Sequence, residues 1–166
     1  MLVDVIGTNK KKIAAIPPAT IFFGSLLMSR RLSDLIHVTI KLDPRLVAEH
    51  EVQGLCEWED TNDRPREFTL HIDAGMTMAD TLSTVAHEMV HLKQMAKGEF
   101  MEYIRTVQPL IRFNSQKYTF GDDQEYWDYP WEIEAYGRQI GLYTRYMERK
   151  WNLIFRMIMW PFIMVI

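Results

Sequence analysis

The stretch Ala86–His91 reads A-H-E-M-V-H and places two histidines four residues apart, with a glutamate directly after the first. An α-helix advances about 100° per residue, so His87 and His91 lie one turn apart on the same face. Both imidazoles can then reach one metal ion. Glu88 lies beside this pair, where its carboxylate can accept a proton from a water without taking a coordination position. The H-E-x-x-H pattern therefore predicts a helix that carries a metal site.

The residues around the motif predict the ends and the faces of this helix. Thr77 with Asp80 three residues later forms a capping pattern, and Gly98 follows the last periodic residue, which gives a helix over residues 78–97. Five apolar residues share one side: Leu82, Val85, Met89, Leu92 and Ala96. The side of His87 carries polar residues: Thr84, His91 and Gln94. One stripe thus faces a core, and the other carries both histidines.

Composition limits the classes of protein that this chain can belong to. With 166 residues, of which 48% are hydrophobic and 25% charged, we expect one domain with a well-buried core. The formal net charge of −3 gives no electrostatic reason for general nucleic-acid affinity. Cys56 is the only cysteine, which excludes an internal disulfide and a four-cysteine zinc site and fits a reducing compartment. We interpret it as a small strand residue.

The N-terminal region carries three lysines followed by an apolar run, residues 10–27, which has the outline of a signal peptide. Pro17 and Pro18 break the run and no small-x-small cleavage site follows, so we reject that interpretation. We predict a flexible lead-in over residues 1–18 and a short helix over residues 19–32.

Three segments alternate with period two and predict strands: residues 37–42, 52–58 and 66–72. They predict a small sheet that is antiparallel in part. His37 and His71 face away from the apolar sides of their strands, so we expect them to be solvated and not to bind metal.

A second group of strands is predicted after the motif helix. The segments 110–113 and 117–120 flank Asn114-Ser115 and predict a hairpin. The acidic stretch 122–128 lacks the ligand spacing of an EF-hand loop, so we do not assign calcium to it.

A catalytic zinc site normally has three protein ligands and leaves one position for water, so the two histidines need a partner. A helix over residues 130–151, begun by a proline, offers two carboxylates. Glu132 lies on its apolar, aromatic face, whereas Glu134 falls beside Arg138 at i+4, as a solvated ion pair would. A carboxylate on the buried face requires a cation to offset its cost. We therefore predict Glu132 as the third ligand, and Ala135 one turn later allows close packing on the motif helix.

The motifs H-E-M-V-H and E-I-E-A-Y resemble those of the gluzincin branch of the zincin metallopeptidases, in which a Glu in an E-x-x-A or E-x-x-S context is the third zinc ligand. Minimal SprT-like and phage-borne metallopeptidase domains are the closer match by element order, over roughly residues 19–150. The specific motifs are confined to residues 84–94 and 130–139. Many gluzincins carry Asp four residues after the ligand Glu to hold a zinc-bound histidine. Tyr136 stands there in this chain, which leaves that role unassigned.

The resemblance implies an α+β, zincin-like domain over residues 19–152. Its three-stranded or slightly larger sheet would pack on the N-terminal helix, the motif helix and the C-terminal helix. It also implies a cytoplasmic location, in the host cell if the chain is phage-encoded. An extended peptide or protein substrate would bind along an edge of the sheet, which we assign to the strand over residues 66–72.

The resemblance further implies one Zn²⁺ per chain, held by His87, His91 and Glu132. Peptide bonds would be hydrolysed by a zinc-bound water with Glu88 as general base. Four tyrosines are candidates for stabilising the transition state or supporting a ligand: Tyr126, Tyr129, Tyr136 and Tyr143. The competing hypothesis is a zinc-stabilised binding or assembly module without turnover. Retention of Glu88, which a structural site would not need, favours the enzyme.

The C-terminal tail, residues 153–166, is almost entirely apolar but is interrupted by Arg156 and Pro161. A membrane-spanning helix needs about 20 apolar residues, so this tail is too short to span. Two interpretations remain. We favour a tail buried on the sheet or in a dimer, and the alternative is a membrane-surface contact with Arg149, Lys150 and Arg156 at the lipid headgroups.

Overall fold

The computed structural model describes residues 1–60, 62–103, 110–119 and 125–163, with side chains described as far as Leu153. The described helices are α1 Lys10–Leu27, α2 Arg30–Ser33, α3 Leu46–His50, α4 Met78–Lys97 and α5 Pro130–Ile163, with a short 3₁₀ helix at Tyr126–Asp128. The described strands are β1 Leu2–Ile6, β2 His37–Asp43, β3 Gly54–Trp58, β4 Glu67–Asp73, β5 Phe100–Tyr103, β6 Leu110–Phe113 and β7 Gln116–Thr119. The predicted α+β class is confirmed.

The first sheet has the strand order β1-β2-β4-β3. Strands β1, β2 and β4 are parallel, and β3 is antiparallel to β4, so the predicted mixed sheet is confirmed. The period-two pattern places Val38, Ile40 and Leu42 of β2 in the core. The prediction that residues 66–72 form a substrate-binding edge is wrong. Strand β4 is flanked on both sides, by β2 and β3, so its backbone groups are already paired along both edges.

The N-terminal residues differ from the prediction, because residues 1–18 are not a flexible lead-in. Strand β1 alternates apolar and polar residues and pairs with β2. Helix α1 begins at Lys10, where the Asn9 side chain accepts hydrogen bonds from the backbone N–H groups of Lys11 and Lys12. Pro17 and Pro18 lie inside this helix. Burial of its apolar face offsets the helix hydrogen bonds that the prolines cannot donate.

Helix α4 lies at the centre of the molecule and packs on α1, α5, β3 and β4. Met89 and Leu92 of α4, Phe23 of α1 and Leu70 of β4 are fully buried in the shared core. Burial of each such side chain stabilises the fold by about 1.5–3 kcal/mol. The helix that carries the H-E-x-x-H motif is therefore held on several sides, and its polar stripe has a fixed orientation.

The second sheet has the order β5-β6-β7 and is antiparallel. The predicted hairpin is confirmed as β6 and β7, and its turn places Asn114 and Ser115 at φ angles of 46° and 73°. Two positive φ values match the type I′ turn that suits the twist of a two-residue hairpin. Strand β5 was not predicted. The hairpin packs on Trp131 at the start of α5.

The C-terminal helix is longer than predicted, since α5 continues to Ile163. The prediction that the tail over residues 153–166 is buried or touches a membrane concerns side chains that, apart from the exposed Leu153, lie outside the described residues. Residues 122–124 of the acidic stretch also lie outside them. Among the helices that the structure describes, none has the length and apolar character needed to cross a membrane.

Candidate metal centre

Local sequence signals set the two ends of α4 as predicted. Its observed bounds are those expected, Met78–Lys97. The hydroxyl of Thr77 accepts a hydrogen bond from the Asp80 backbone N–H at 3.2 Å, and Gly98 ends the helix with a φ of 71°. The polar stripe is not a solvated face, because His87 and Glu88 expose only 7% and 5% of their surface. Buried polar side chains of this kind require partners.

Three side chains converge on one point between α4 and α5. The Nε2 atoms of His87 and His91 lie 3.0 Å apart. Oε2 of Glu132 lies 3.4 Å from the first and 3.5 Å from the second. These three residues form the group that can hold a metal ion among the described residues. The assignment of Glu132 as the partner of the histidines is therefore geometrically consistent.

The geometry and bonding of this group fit a bound cation. Oε2 of Glu132 is buried and has no hydrogen-bond partner among the described residues. A buried carboxylate oxygen without a donor is costly, and a metal ion would satisfy it. Ligands about 2.0–2.1 Å from a tetrahedral ion lie roughly 3.3 Å from one another, which is close to the observed separations. Two imidazoles and a carboxylate are thus preorganised for a metal ion.

The His87 ring is oriented by a residue on α5. Its Nδ1 lies 3.2 Å from Oε1 of Gln139, whose amide nitrogen donates to the hydroxyl of Ser83 at 2.8 Å. The amide oxygen can only accept, so this arrangement places the ring proton on Nδ1. The Nε2 lone pair then points to the metal position, as expected for a ligand.

Gln94 orients the second histidine in the same way. Its Oε1 lies 3.0 Å from Nδ1 of His91, and its amide nitrogen donates to the Trp131 carbonyl at 3.0 Å and to Oε2 of Glu134 at 3.1 Å. The side chain of Gln94 is completely buried. Sequence reasoning did not identify these glutamines as partners. The available signal was their position: Gln94 lies on the same face of α4 as His87, and Gln139 lies on the same face of α5 as Glu132.

The two carboxylates that competed for the ligand role have different surroundings. Burial opposes ionisation of Glu132, but its interactions with His87 and His91 lower its pKa to about 2. Glu134 forms the predicted pair with Arg138, at 2.8 Å. It also accepts from the buried ammonium of Lys93 at 2.6 Å, so it is half-buried rather than fully solvated. Glu132 faces α4 as predicted, whereas Glu134, predicted to be solvated, anchors α5 to α4. Ile140, which the same prediction turned inward, is exposed.

Glu88 lies next to the three converging side chains without belonging to them. Burial raises the pKa of its carboxyl group, while the nearby His91 and His87 act in the opposite direction. The carboxylate faces a cleft of about 550 Å³. A buried carboxylate beside a metal position and open to a cleft is placed to exchange a proton with a molecule in that cleft.

The cleft has two walls above the surface of α4. One is the segment from Glu51 to Gly54, which leads into β3. The other is aromatic and consists of Tyr126, Trp127 and Tyr136, which remain 51%, 61% and 40% exposed. Sequence reasoning missed Trp127, whose ring centroid lies 4.9 Å from that of Tyr136. Solvent-facing aromatic rings beside a polar centre are suited to contact a ligand.

Two of the four candidate tyrosines reach the site. The ring centroid of Tyr136 lies 4.4 Å from that of His87. The hydroxyl of Tyr126 interacts with the carboxylate of Glu132. Burial raises the pKa of both phenols, so both remain protonated donors at neutral pH. Tyr129 does not belong to the site, since it stacks on Trp131 beside the second sheet. Tyr143 packs against the main core.

Two strand histidines and the cysteine were expected to have no role in the site. His37 and His71 are partly exposed, and their Nε2 atoms form hydrogen bonds with the carboxylates of Asp4 and Glu57, at 2.8 Å and 3.0 Å. Neither belongs to the group formed by His87, His91 and Glu132. Cys56 is buried in β3, and burial raises the pKa of its thiol. It is the strand residue that the sequence indicated.

No protein-family model, curated protein or solved structure matches this chain. The resemblance of the two short motifs to gluzincins remains an interpretation of the sequence. The functional assignment therefore rests on the residues of the site and on their geometry.

Proposed function

We propose that this protein is a zinc-dependent metallopeptidase in which Glu88 is the general base. The observation that carries the proposal is the position of Glu88, buried beside His87, His91 and Glu132 but outside that ligand group. A structural zinc site is closed by four protein ligands. The described residues supply three, and the cleft opens at the centre.

The donor set favours zinc among the biological metals. Two imidazole nitrogens and one carboxylate oxygen form a ligand set found in catalytic zinc sites. When bound, zinc would polarise the scissile carbonyl and activate a water for attack. Gln94 and Gln139 would hold the imidazoles of His91 and His87 with their Nε2 atoms toward the ion.

The proton transfers are assigned to Glu88. Its carboxylate takes a proton from the water as the oxygen attacks the carbonyl carbon, and donates it to the amine nitrogen as the C–N bond breaks. The same carboxyl group thus accepts the proton in the first step and donates it in the second. The phenol of Tyr136 lines the cleft and would supply a hydrogen-bond donor for the negative charge that develops on the carbonyl oxygen, whereas the hydroxyl of Tyr126 is used by Glu132.

The position of the cleft suggests how an extended peptide would bind. Strand β3 lies at the end of the first sheet, and among the described strands none pairs with its outer edge. The segment that forms one cleft wall leads directly into β3. We assign peptide binding to this edge, in place of the β4 edge expected from the sequence, because backbone hydrogen bonding there would lay the chain across the metal position.

The test is a peptidase assay combined with metal analysis. Protein purified without chelator should contain about one zinc per chain and cleave members of a diverse peptide library. Glu88→Gln should keep the zinc and lose about 10²–10⁴ in rate, because the amide cannot accept the proton. Glu148→Gln, the same change on the exposed outer surface of α5, is the matched control and should retain full activity.

Three outcomes would contradict the proposal. Equal cleavage by Glu88→Gln and the unchanged protein would remove Glu88 as the base. A protein that binds zinc but cleaves no member of the library would instead be a zinc-stabilised binding or assembly module. Absence of any transition metal would exclude both functions.

A further inference from the structure

We propose that Gly54 is the positioning residue for Glu88, because the missing side chain at residue 54 creates the space that the carboxylate occupies. This inference deepens the proposed function and rests on it for its catalytic consequence. Its structural content, that Gly54 sets the place of the Glu88 carboxylate, can be tested without any activity.

The close approach occurs where β3 passes over α4. Gly54 is the first residue of β3 and pairs with Ile72 of β4. A Cβ atom added to Gly54 would collide with Oε1 of Glu88 and would lie 2.6 Å from Cγ2 of Thr84. Real Cβ atoms do not approach other heavy atoms so closely, so the Glu88 carboxylate is packed directly against the backbone of the strand.

The backbone itself does not require glycine at this position. Among the glycines that the structure describes, Gly98 is the one with a positive φ. Gly54 lies in ordinary strand geometry, which alanine adopts readily. Glycine in a strand loses more conformational entropy on folding than alanine and has no side chain to pack. Close contact with Glu88 and Thr84 is the reason that the structure gives for a glycine here.

An added methyl group would displace the Glu88 carboxylate and would also require the Thr84 methyl group to turn away. Strand β3 is tied to β4 by backbone hydrogen bonds, and α4 is fixed in the core. The free end of the Glu88 side chain is the most mobile of the colliding groups and has the cleft to move into. A displacement of about 1 Å in a reacting group can cost about 10² in rate while the fold is kept. Gly54 therefore acts on catalysis through Glu88.

The test compares Gly54→Ala with Gly141→Ala, which adds the same methyl group to an exposed position of α5 where nothing lies within 4 Å. Crystal structures of both variants should show the Glu88 carboxylate displaced by at least about 1 Å in Gly54→Ala and unmoved in Gly141→Ala. Gly54→Ala should also lose about 10² in kcat with little change in KM, and should bind zinc within about threefold of the unchanged protein, because no ligand has moved.

A double variant connects the effect to Glu88. In Gly54→Ala with Glu88→Gln, the loss in kcat should equal that of Glu88→Gln alone, because the group that Gly54 positions is already inactive. Independent, multiplying losses would overturn the proposal, as would a raised KM with unchanged kcat, which would indicate that residue 54 contacts substrate instead. An unmoved carboxylate in the crystal structure would also overturn it. If the unchanged protein cleaves nothing while the carboxylate moves as expected, the proposed function fails and the positioning role stands.

Discussion

The amide oxygen of Gln139 lies 3.2 Å from Nδ1 of His87 and joins α5 to the imidazole of α4. Helix α5 thus supplies the carboxylate of Glu132 and also orients one of the two histidines. Tyr136, four residues after Glu132, packs on the His87 ring, while the contact to Nδ1 comes from a neutral amide one turn farther along the same helix. A neutral acceptor fixes the tautomer without adding a negative charge.

The contact between Gln139 and His87 predicts the effect of its removal. Gln139→Ala should weaken zinc binding by about 10–100-fold, because the imidazole loses its fixed tautomer and orientation. Competition with a chromophoric chelator measures this directly. Gln139→Glu should retain near-normal affinity, since a carboxylate oxygen also accepts from Nδ1. Gln116→Ala, the same substitution at an exposed position of β7, is the control and should leave zinc affinity unchanged. Unchanged affinity in Gln139→Ala would show that the contact does not support the ligand.

A second prediction separates the two carboxylates at the start of α5. Glu132→Ala should reduce zinc affinity by orders of magnitude, because it removes a metal ligand. Glu134→Ala should reduce it by less than about tenfold, since Gln94 keeps its bond to the Trp131 carbonyl. Glu134→Ala should instead lower the free energy of unfolding by about 1–3 kcal/mol, because the buried Lys93 loses one of its partners. Isothermal titration calorimetry measures the zinc affinity, and urea unfolding measures the free energy of unfolding. A larger loss of zinc affinity in Glu134→Ala than in Glu132→Ala would contradict the assignment of Glu132 as the ligand.

The parts of the site that could be predicted from the sequence depend on local geometry. The bounds of α4 follow from Thr77 and Gly98, which act within one turn of the helix ends. The choice of Glu132 over Glu134 follows from a rotation of about 100° per residue and from the cost of burying an unpartnered carboxylate. Both inferences can be made without information on which helices and strands are neighbours in space.

The parts that were missed depend on contacts between distant segments. Strand β1 was overlooked because its five residues gain their stability by pairing with β2, over thirty positions away. Strand β4 follows β3 in the sequence but lies between β2 and β3 in the sheet. The edge strand on this side is therefore β3, and the sequence does not reveal this order. Gln139 and Trp127 could be assigned to the site only once α5 and the 3₁₀ helix were placed against α4.

The second sheet depends on one aromatic residue, which leads to a prediction about stability. Trp131 is 6% exposed and is surrounded by aromatic rings: Phe100, Phe113, Tyr118 and Tyr129. Trp131→Ala should lower the free energy of unfolding by about 3–5 kcal/mol, because it leaves a cavity in this cluster. Trp151→Ala, at a side chain that is 66% exposed, is the matched control and should cost less than about 0.5 kcal/mol. Comparable losses in urea unfolding would contradict the role of Trp131 as the anchor of the sheet.

Asp60, in the turn between β3 and β4, should make a contribution to stability that is lost in acid. The carboxylate of Asp60 accepts backbone N–H groups from Arg66 at 2.6 Å, Asn62 at 3.0 Å and Glu67 at 3.1 Å. Burial opposes its ionisation, but these hydrogen bonds lower the pKa of Asp60 below its ordinary value. A lowered pKa in the folded state means that the unfolded chain binds the proton more readily. The contribution is therefore present in full above about pH 4 and is lost as the pH falls further.

Asp60→Asn tests this contribution, because it keeps the size of the side chain but cannot ionise. Unfolding by urea should be followed from pH 7 to pH 3 in the presence of chelator, so that release of a metal does not contribute to the change. The unchanged protein should lose more stability between pH 4 and pH 3 than Asp60→Asn does, because the variant has no carboxylate to protonate at this turn. Asp63→Asn, an exposed neighbour in the same turn, should follow the unchanged protein. Parallel curves for Asp60→Asn and the unchanged protein would show that the turn draws no stability from the charge on Asp60.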